Sequence, residues 1–257
     1  MNDSSRIHPA LQTRQPLNEN LGVHVYCDFD GTVSVEDATD FVLSRLADKE
    51  WQDVERLWQE GRIGSGECMR RQIAMIRAAP QELDEVLDGI AIDPHFPSFI
   101  DFCTGHGVPV TIVSDGVDYF IRRILQKCGL DHLPVVANRL VASVTGSRFD
   151  YRLFSPHGDH RCTTMAGVCK CRALSAHGER IFVGDGRSDF CVSDKPELVF
   201  AKGQLAGQCS ERNIPFFTYR DFSDVVSVLR EFVRAFETAR PTSRAAPVHQ
   251  TSERELS

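Results

Sequence analysis

Two acids one residue apart, Asp28 and Asp30, follow directly on the apolar, β-branched run Val23-His24-Val25-Tyr26-Cys27 and are themselves followed by Gly31 and Thr32. The run reads as a short buried strand and Gly31 as its turn. In an open α/β sheet, ligands sit beyond the carboxyl ends of the strands, so both carboxylates stand at the mouth of a site. Carboxylates that close repel and shift each other's pKa, and a divalent cation is the simplest compensation. A second apolar run, Ile181-Phe182-Val183, ends in Gly184-Asp185-Gly186, with another acid, Asp189, shortly after. A third, Val108-Pro109-Val110-Thr111-Ile112-Val113, runs into Ser114-Asp115-Gly116 and then an amphipathic stretch with Tyr119, Phe120, Ile124 and Leu125. A serine hydroxyl and free backbone N–H groups at a helix start suit a phosphate. Lys170, between Cys169 and Cys171, opens a further short helix in an apolar neighbourhood, with Arg172 as the alternative cation.

These segments resemble the four motifs of the haloacid dehalogenase (HAD) phosphohydrolase superfamily. Asp28-Phe29-Asp30-Gly31-Thr32 is similar to the first, Ser114 to the second, Lys170 to the third and Gly184-Asp185-Gly186-Arg187-Ser188-Asp189 to the fourth. The resemblance implies that Asp28 attacks phosphorus and that Asp30 protonates the leaving oxygen, then takes a proton from the hydrolytic water. It implies Mg²⁺ as cofactor, held by Asp28, the Asp30 backbone carbonyl and Asp185, with Asp189 bracing the shell or binding through water. Ser114, Asp115 and Gly116 fall at the phosphate. The family commonly carries glycine where this chain has Asp115, which adds negative charge there unless the side chain turns away to cap the helix. A carboxylate approaching a phosphate dianion meets repulsion of about 4 kcal/mol per charge pair at 4 Å and an effective dielectric near 20. Cation and Lys170 are therefore requirements of the mechanism. Asp30 favours a phosphatase over a dehalogenase, because an alkoxide leaving group needs an acid. The non-enzyme alternative, a phosphate-binding module, is disfavoured by reactive residues at all four motif positions.

The elements that position these residues are less regular than a plain α/β repeat. A strand-to-helix connection of a few residues is expected after Thr32, yet the next strand begins about 75 residues later. The intervening sequence is helical in pattern. Residues 36–46 place Phe41, Val42 and Leu46 on one side, residues 51–58 carry Trp51 and Trp58, and Gly61, Gly64 and Gly66 break the run. Ser65 is placed to cap a helix reaching Ala79 with Met69, Ile73 and Ile76 inward, and residues 80–90 form one more. In HAD terms this insertion resembles a C1 helical cap, which closes over substrate, excludes water and selects the leaving group. Beyond it, residues 134–152 alternate around Gly146 as a hairpin, residues 198–202 form a strand, and residues 203–212 and 222–236 form helices. The expected fold class is α/β, a HAD-like Rossmannoid parallel sheet with an inserted C1 cap. Its parts are a flexible segment 1–20, a core of 21–34 and 96–238, a cap of 35–95 and a disordered tail 239–257.

With 257 residues, 42% of them hydrophobic, the chain is long enough for a full core, and its net charge of −7 argues against nucleic acid as a partner. No stretch has the length of a membrane span, and the first twenty residues lack the apolar core of a secretory signal. Nine cysteines without such a signal point to a reducing, cytoplasmic setting. Cys27, Cys103, Cys128 and Cys191 read as small core residues. His157, His160, Cys162, Cys169 and Cys171 have ligand types that suit structural zinc. Their C-x6-C-x-C spacing does not match the common paired pattern, and reduced loop thiols are the expectation.

From Tyr26 to Arg230 the resemblance narrows to the methionine-salvage phosphatases, related to phosphoserine and phosphocholine/phosphoethanolamine phosphatases. It implies a small phosphate ester as substrate and a monomer or homodimer. Asp37, nine residues after Asp28, lies where phosphoserine phosphatases carry an acid that meets the substrate amino group. It is equally placed to cap the helix at Ala38, with Glu36 as its neighbour candidate. Trp51 and Trp58 could wall a quaternary ammonium, but their helical spacing makes them cap core.

Overall fold

The computed structural model describes residues 22–162, 165–174 and 178–239, with side chains through residue 235. The expectations for residues 1–20 and for the tail from Arg240 lie outside the described residues.

Seven strands form one sheet in the order β4-β3-β2-β1-β5-β6-β7. They are β1 (Val23–Cys27), β2 (Val110–Val117), β3 (Val135–Thr145), β4 (Arg148–Phe154), β5 (Glu179–Gly184), β6 (Leu198–Ala201) and β7 (Phe217–Thr218). All pairings are parallel except the β3–β4 hairpin, which turns at Gly146. β1 is central, between β2 and β5, with Val25 opposite both Val110 and Ile181.

The period of two along each strand divides the core into two layers. Val25, Cys27, Ile112, Ile181, Val183 and Phe200 face one side, where Phe96, Phe99 and Phe222 join them. Tyr26, Val113, Phe182 and Val199 face the other, with Leu205 and Cys209. Both faces of the central strands are therefore apolar, as parallel strands covered on both sides require. The first layer is closed by α5 (Phe96–Gly105), α6 (Asp118–Lys127) and α9 (Phe222–Ala239), the second by α8 (Gly203–Glu211).

Between β1 and α5 stand α1 (Ala38–Leu46), α2 (Trp51–Gln59), α3 (Ser65–Ile73) and α4 (Pro80–Leu87). α1 packs on α4, and α2 on α3. Polar contacts tie this group to the sheet unit: Arg123 of α6 grips Asp88 with two bonds of 2.8 and 2.7 Å, and the Tyr151 hydroxyl donates to the Ala78 carbonyl at 3.0 Å. α7 (Lys170–Ala173) is a single turn before β5.

Several local expectations are corrected. α3 starts after Gly64, not at a Ser65 cap, and ends at Ile73, with Ile76 paired to Ala47 in an isolated bridge. Gly66 does not break the chain but lies within α3, where a Cβ would stand 2.9 Å from the Gly167 nitrogen. Cys128 is exposed because it ends α6 on the outer side, and Cys191 is only partly covered. Among the described residues no helix is long and apolar enough to cross a membrane.

Candidate active site

β1, β2 and β5 are neighbours in the sheet, so their carboxyl ends bring Asp28, Ser114 and Asp185 to one place. Gly31 makes this possible: at φ +70° it turns the chain, and a Cβ there would lie 2.6 Å from Asp185 Oδ2. Gly116 acts similarly on the other side, where a Cβ would meet Asp30 Oδ2 at 2.6 Å.

Lys170, the first residue of α7, is fully buried, and its ammonium ends the approach from behind. Nζ lies 2.7 Å from Asp28 Oδ1 and 2.6 Å from Asp189 Oδ1, and donates to Ser188 Oγ at 2.9 Å. Asp189 also accepts from the backbone nitrogens of Asp185 and Gly186 at 3.0 and 3.1 Å, which fixes the loop after β5. Thr32 donates to Asp185 Oδ1 at 2.7 Å. Ser114 Oγ accepts from the Gly116 nitrogen at 2.9 Å, which leaves the hydroxyl hydrogen for another acceptor. The Gly116 N–H is thus engaged within the loop, and its contribution is space and orientation. Asp30 Oδ1 accepts from the Ala38 nitrogen at 2.8 Å, tying it to the start of α1.

Four acids, Asp28, Asp30, Asp185 and Asp189, share this end of the sheet with Lys170. Burial pushes the Asp28 carboxyl well above its ordinary range; the Asp189 and Asp185 charges add to this and Lys170 opposes it. Asp30 is also pushed well up, by burial and then by Asp37, against the Ala38 N–H bond. Asp185 rises through burial, opposed by the bond from Thr32. A raised pKa suits a proton donor and is wrong for a nucleophile. A divalent cation beside Asp28 and Asp185 would reverse it. Among the described residues, Asp28, Asp185 and Asp189 form the group whose ligand atoms all lie within 4.8 Å of one another. Such hard oxygen donors fit Mg²⁺.

The cavity above these groups encloses about 400 Å³. Its floor is Asp28, Asp30, Ser114 and Asp185, and its far wall, from α1 to α3, carries Asp37, Asp40, Glu55, Trp58, Met69 and Gln72. Asp37 does both things its sequence position suggested: it caps α1 by accepting from the Asp40 nitrogen at 2.9 Å, and it lines the cavity. The Arg187 guanidinium lies 5.2 Å from the Trp58 ring centre, spanning the sheet unit and α2. Trp51 packs into the core instead. Arg172 is drawn off to Asp159 at 3.3 Å, and Glu36 is exposed away from the lining residues.

Asp115 is buried but does not cap α6; protein donors hold both of its oxygens. The cysteines near Lys170 form a packed group and do not lie separately in loops. Cys162, Cys169, Cys171 and Cys191 pack together, with 3.1 Å between the sulfurs of Cys169 and Cys171, while His157 and His160 are exposed. Burial pushes the Cys169 thiol up to about 12 and raises Cys171 and Cys191. Sequence reasoning missed Tyr219, whose hydroxyl donates to the Gly184 carbonyl at 3.2 Å, and Asn138, fully buried against Asp115. Neither lies in a motif, and only the fold brings them near.

An acid pair at the end of a central parallel strand, a buried lysine and a second acid loop from the adjacent strand define a phosphoryl-transfer type of α/β hydrolase. The comparisons make this specific: residues 25–193 match the haloacid dehalogenase-like hydrolase model, and the chain belongs to that family. A Brevibacillus brevis protein named 2-hydroxy-3-keto-5-methylthiopentenyl-1-phosphate phosphatase is 25% identical over 213 residues, covering 80% of this chain and 95% of the relative. An Exiguobacterium protein of the same name is 28% identical over 214 residues, covering 79% and 96%. A phosphoserine phosphatase solved as a phospho-aspartyl intermediate analogue has a TM-score of 0.58 at 19% identity, covering 82% of this chain and 99% of that one. A probable phosphoserine phosphatase from Vibrio cholerae has a TM-score of 0.63 at 18% identity, covering 85% and 68%. At that identity the two structures speak for the fold.

Proposed function

We propose that this protein is a Mg²⁺-dependent phosphomonoester hydrolase that works through an aspartyl-phosphate on Asp28, with 2-hydroxy-3-keto-5-methylthiopentenyl-1-phosphate as its substrate. The observation that carries the chemistry is the fully buried Lys170, ion-paired to Asp28 at 2.7 Å beneath the cavity. In the first step an Asp28 oxygen forms a bond to phosphorus while the bond to the leaving oxygen breaks. Asp30, whose carboxyl burial and the Asp37 charge push well above its ordinary range, gives a proton to that oxygen. In the second, Asp30 takes a proton from water, the water oxygen bonds to phosphorus, and the Asp28 carboxylate is released. Lys170 offsets charge on Asp28 and on the transferring group, and the Ser114 hydroxyl donates to a phosphate oxygen. The cation, held by Asp28 and Asp185 with the Asp30 carbonyl, would supply charge neutralisation on the phosphoryl oxygens. Asp189 braces Lys170 and the loop.

The substrate rests on the relatives' shared name and their coverage of about four-fifths of the chain. A second reading is favoured by one observation: Asp37, Asp40 and Glu55 line the far wall of the cavity, and Arg187 is the cation among its lining residues. That wall suits a leaving group bearing an amine, such as phosphoethanolamine, phosphocholine or phosphoserine. Phosphate release from these four esters with Mg²⁺, with Asp28→Asn as control, separates the readings. Preference for the methylthio ester supports the first, and preference for an amine ester the second. No release from any of them, nor from an aryl phosphate, would sink the phosphatase itself.

A further inference from the structure

Asp115 follows Ser114 in the chain, beside the groups assigned to phosphate, yet its carboxylate is used up by the protein. Oδ2 accepts from Ser65 Oγ at 2.8 Å. Oδ1 accepts from the Val168 nitrogen at 2.9 Å and from Asn138 Nδ2 at 3.2 Å. Asn138 Nδ2 bonds the Asp115 backbone carbonyl as well. The donors come from three separate places: Ser65 opens α3 in the inserted helices, Asn138 lies on β3, and Val168 is two residues before Lys170.

The surrounding backbone is built for close approach. The Gly66 nitrogen donates to the Met165 carbonyl at 3.2 Å. A Cβ on Gly66 would stand 2.9 Å from the Gly167 nitrogen, and one on Gly64 or Gly167 would overlap Met165 or the Asn138 amide. The start of α3 and residues 165–168 therefore meet main chain to main chain, with Asp115 beneath them. A buried carboxylate with three donors is tightly specified, because losing one donor leaves a buried oxygen short of a hydrogen bond.

We propose that Asp115 is a positioning residue: one carboxylate clasps both the inserted helices, through Ser65, and the segment that delivers Lys170, through Val168. Closure of α3 over the cavity and placement of the lysine against Asp28 are then one event. When α3 lifts, Ser65 leaves, and Asp115 Oδ2 loses its donor next to Ser114 and Gly116. When α3 closes, the charge is compensated again. The effect on turnover rests on the phosphatase reading above; the clasp itself does not.

Hydrogen–deuterium exchange without substrate tests the clasp. In Ser65→Ala, exchange should rise about tenfold at residues 64–68 and also at residues 165–169, as expected for loss of one hydrogen bond to a carboxylate. Asp115→Asn keeps the shape, accepting from Val168 through oxygen and donating to Ser65 through nitrogen, so both segments should stay protected. Asp115→Ala should expose both. A rise confined to α3 in Ser65→Ala, or equal exposure in Asp115→Asn and Asp115→Ala, overturns the proposal. On an aryl phosphate with Mg²⁺, Ser65→Ala should lower kcat about tenfold while inhibition by inorganic phosphate changes less than about twofold. Weaker phosphate inhibition with kcat intact would make Ser65 a binding group and refute the coupling. A wild type that hydrolyses no ester would sink the phosphatase reading, while the exchange result would still decide the clasp.

Discussion

The floor and the far wall of one cavity solve opposite electrostatic problems. At the floor and just beneath it, Asp28 and Asp189 are buried almost completely, and a buried Lys170 within 2.7 Å answers both. On the wall, Asp37 and Asp40 remain open to the cavity and, with Glu55, face it without a cation among themselves. The floor is internally paired through Lys170, which suits a site that handles one charged group, the phosphoryl. The wall acids have no ion-pair partner among themselves and stand on helices outside the sheet. On the proposed function, chemistry falls to the floor and selectivity to the wall, so variants on the two sides should fail in different ways.

The largest effects belong to the floor. Asp28→Asn removes the proposed nucleophile while keeping its shape, and turnover should fall by about 10⁴-fold or more with an unchanged far-ultraviolet spectrum. Turnover near wild type would move the nucleophile elsewhere. Lys170→Met should stop turnover too, but unlike Asp28→Asn it should also destabilise the fold. It strands two buried carboxylates, at about 3–5 kcal/mol, to be read as a lower urea midpoint. If the midpoint stayed put, the pair would be serving catalysis alone. Chelation comes next: EDTA should take phosphate release to background and added Mg²⁺ should restore it. Mg²⁺ should also raise the thermal midpoint of the resting protein, since it relieves repulsion among Asp28, Asp185 and Asp189. A midpoint indifferent to Mg²⁺ would argue against Asp28 and Asp185 as the residues that hold the cation.

The wall predicts smaller and selective effects. Asp37→Asn and Glu55→Gln should lower kcat/KM for an amine-bearing ester about tenfold and for the methylthio ester less than about threefold. Equal loss on both esters would mean that these acids shape the wall without discriminating charge.

How much of this was legible in the sequence follows the same division. The floor could be read because each part is a short local word: an apolar strand, then an acid, then a glycine that the tight approach requires. Gly31 and Asp185 are 154 positions apart, yet each announces itself locally. The insertion was legible as well, from the length between strands and the helical periodicity. What failed was whatever depends on contact across the fold. Ser65 looked like a helix cap because serine before an apolar run usually is one, but its hydroxyl is taken by Asp115, fifty residues on. Gly66 looked like a breaker, whereas its missing side chain admits the Gly167 backbone. Cys128 looked apolar from its neighbours, yet α6 ends there on the outer face. α5 and β7 went unread: the first fills its buried face with phenylalanines around a proline start, and the second is two residues long.

The smallest effect isolates the wall's own charge without touching chemistry. Asp40 sits beside Asp37 and Glu55, and burial followed by these two charges raises its carboxyl from 3.8 to about 7. A raised carboxyl pKa means that the folded state prefers the protonated form. The penalty is absent at low pH, grows as pH rises through the unfolded value near 4, and is complete above about 7. Asp40→Asn should therefore leave stability near pH 4 unchanged and raise it at pH 8. Because the carboxyl is open to the cavity, solvent screening limits the gain to about 1 kcal/mol. The α1 cap is untouched, since it uses the Asp40 backbone nitrogen. Urea midpoints of the two proteins at both pH values measure this. A gain of the same size at pH 4 would reflect helix propensity, and no gain at pH 8 would show that the wall acids are fully solvated. An amine bound against this wall should make the gain at pH 8 disappear, because the charge that strains the empty cavity is then the charge that holds the ligand.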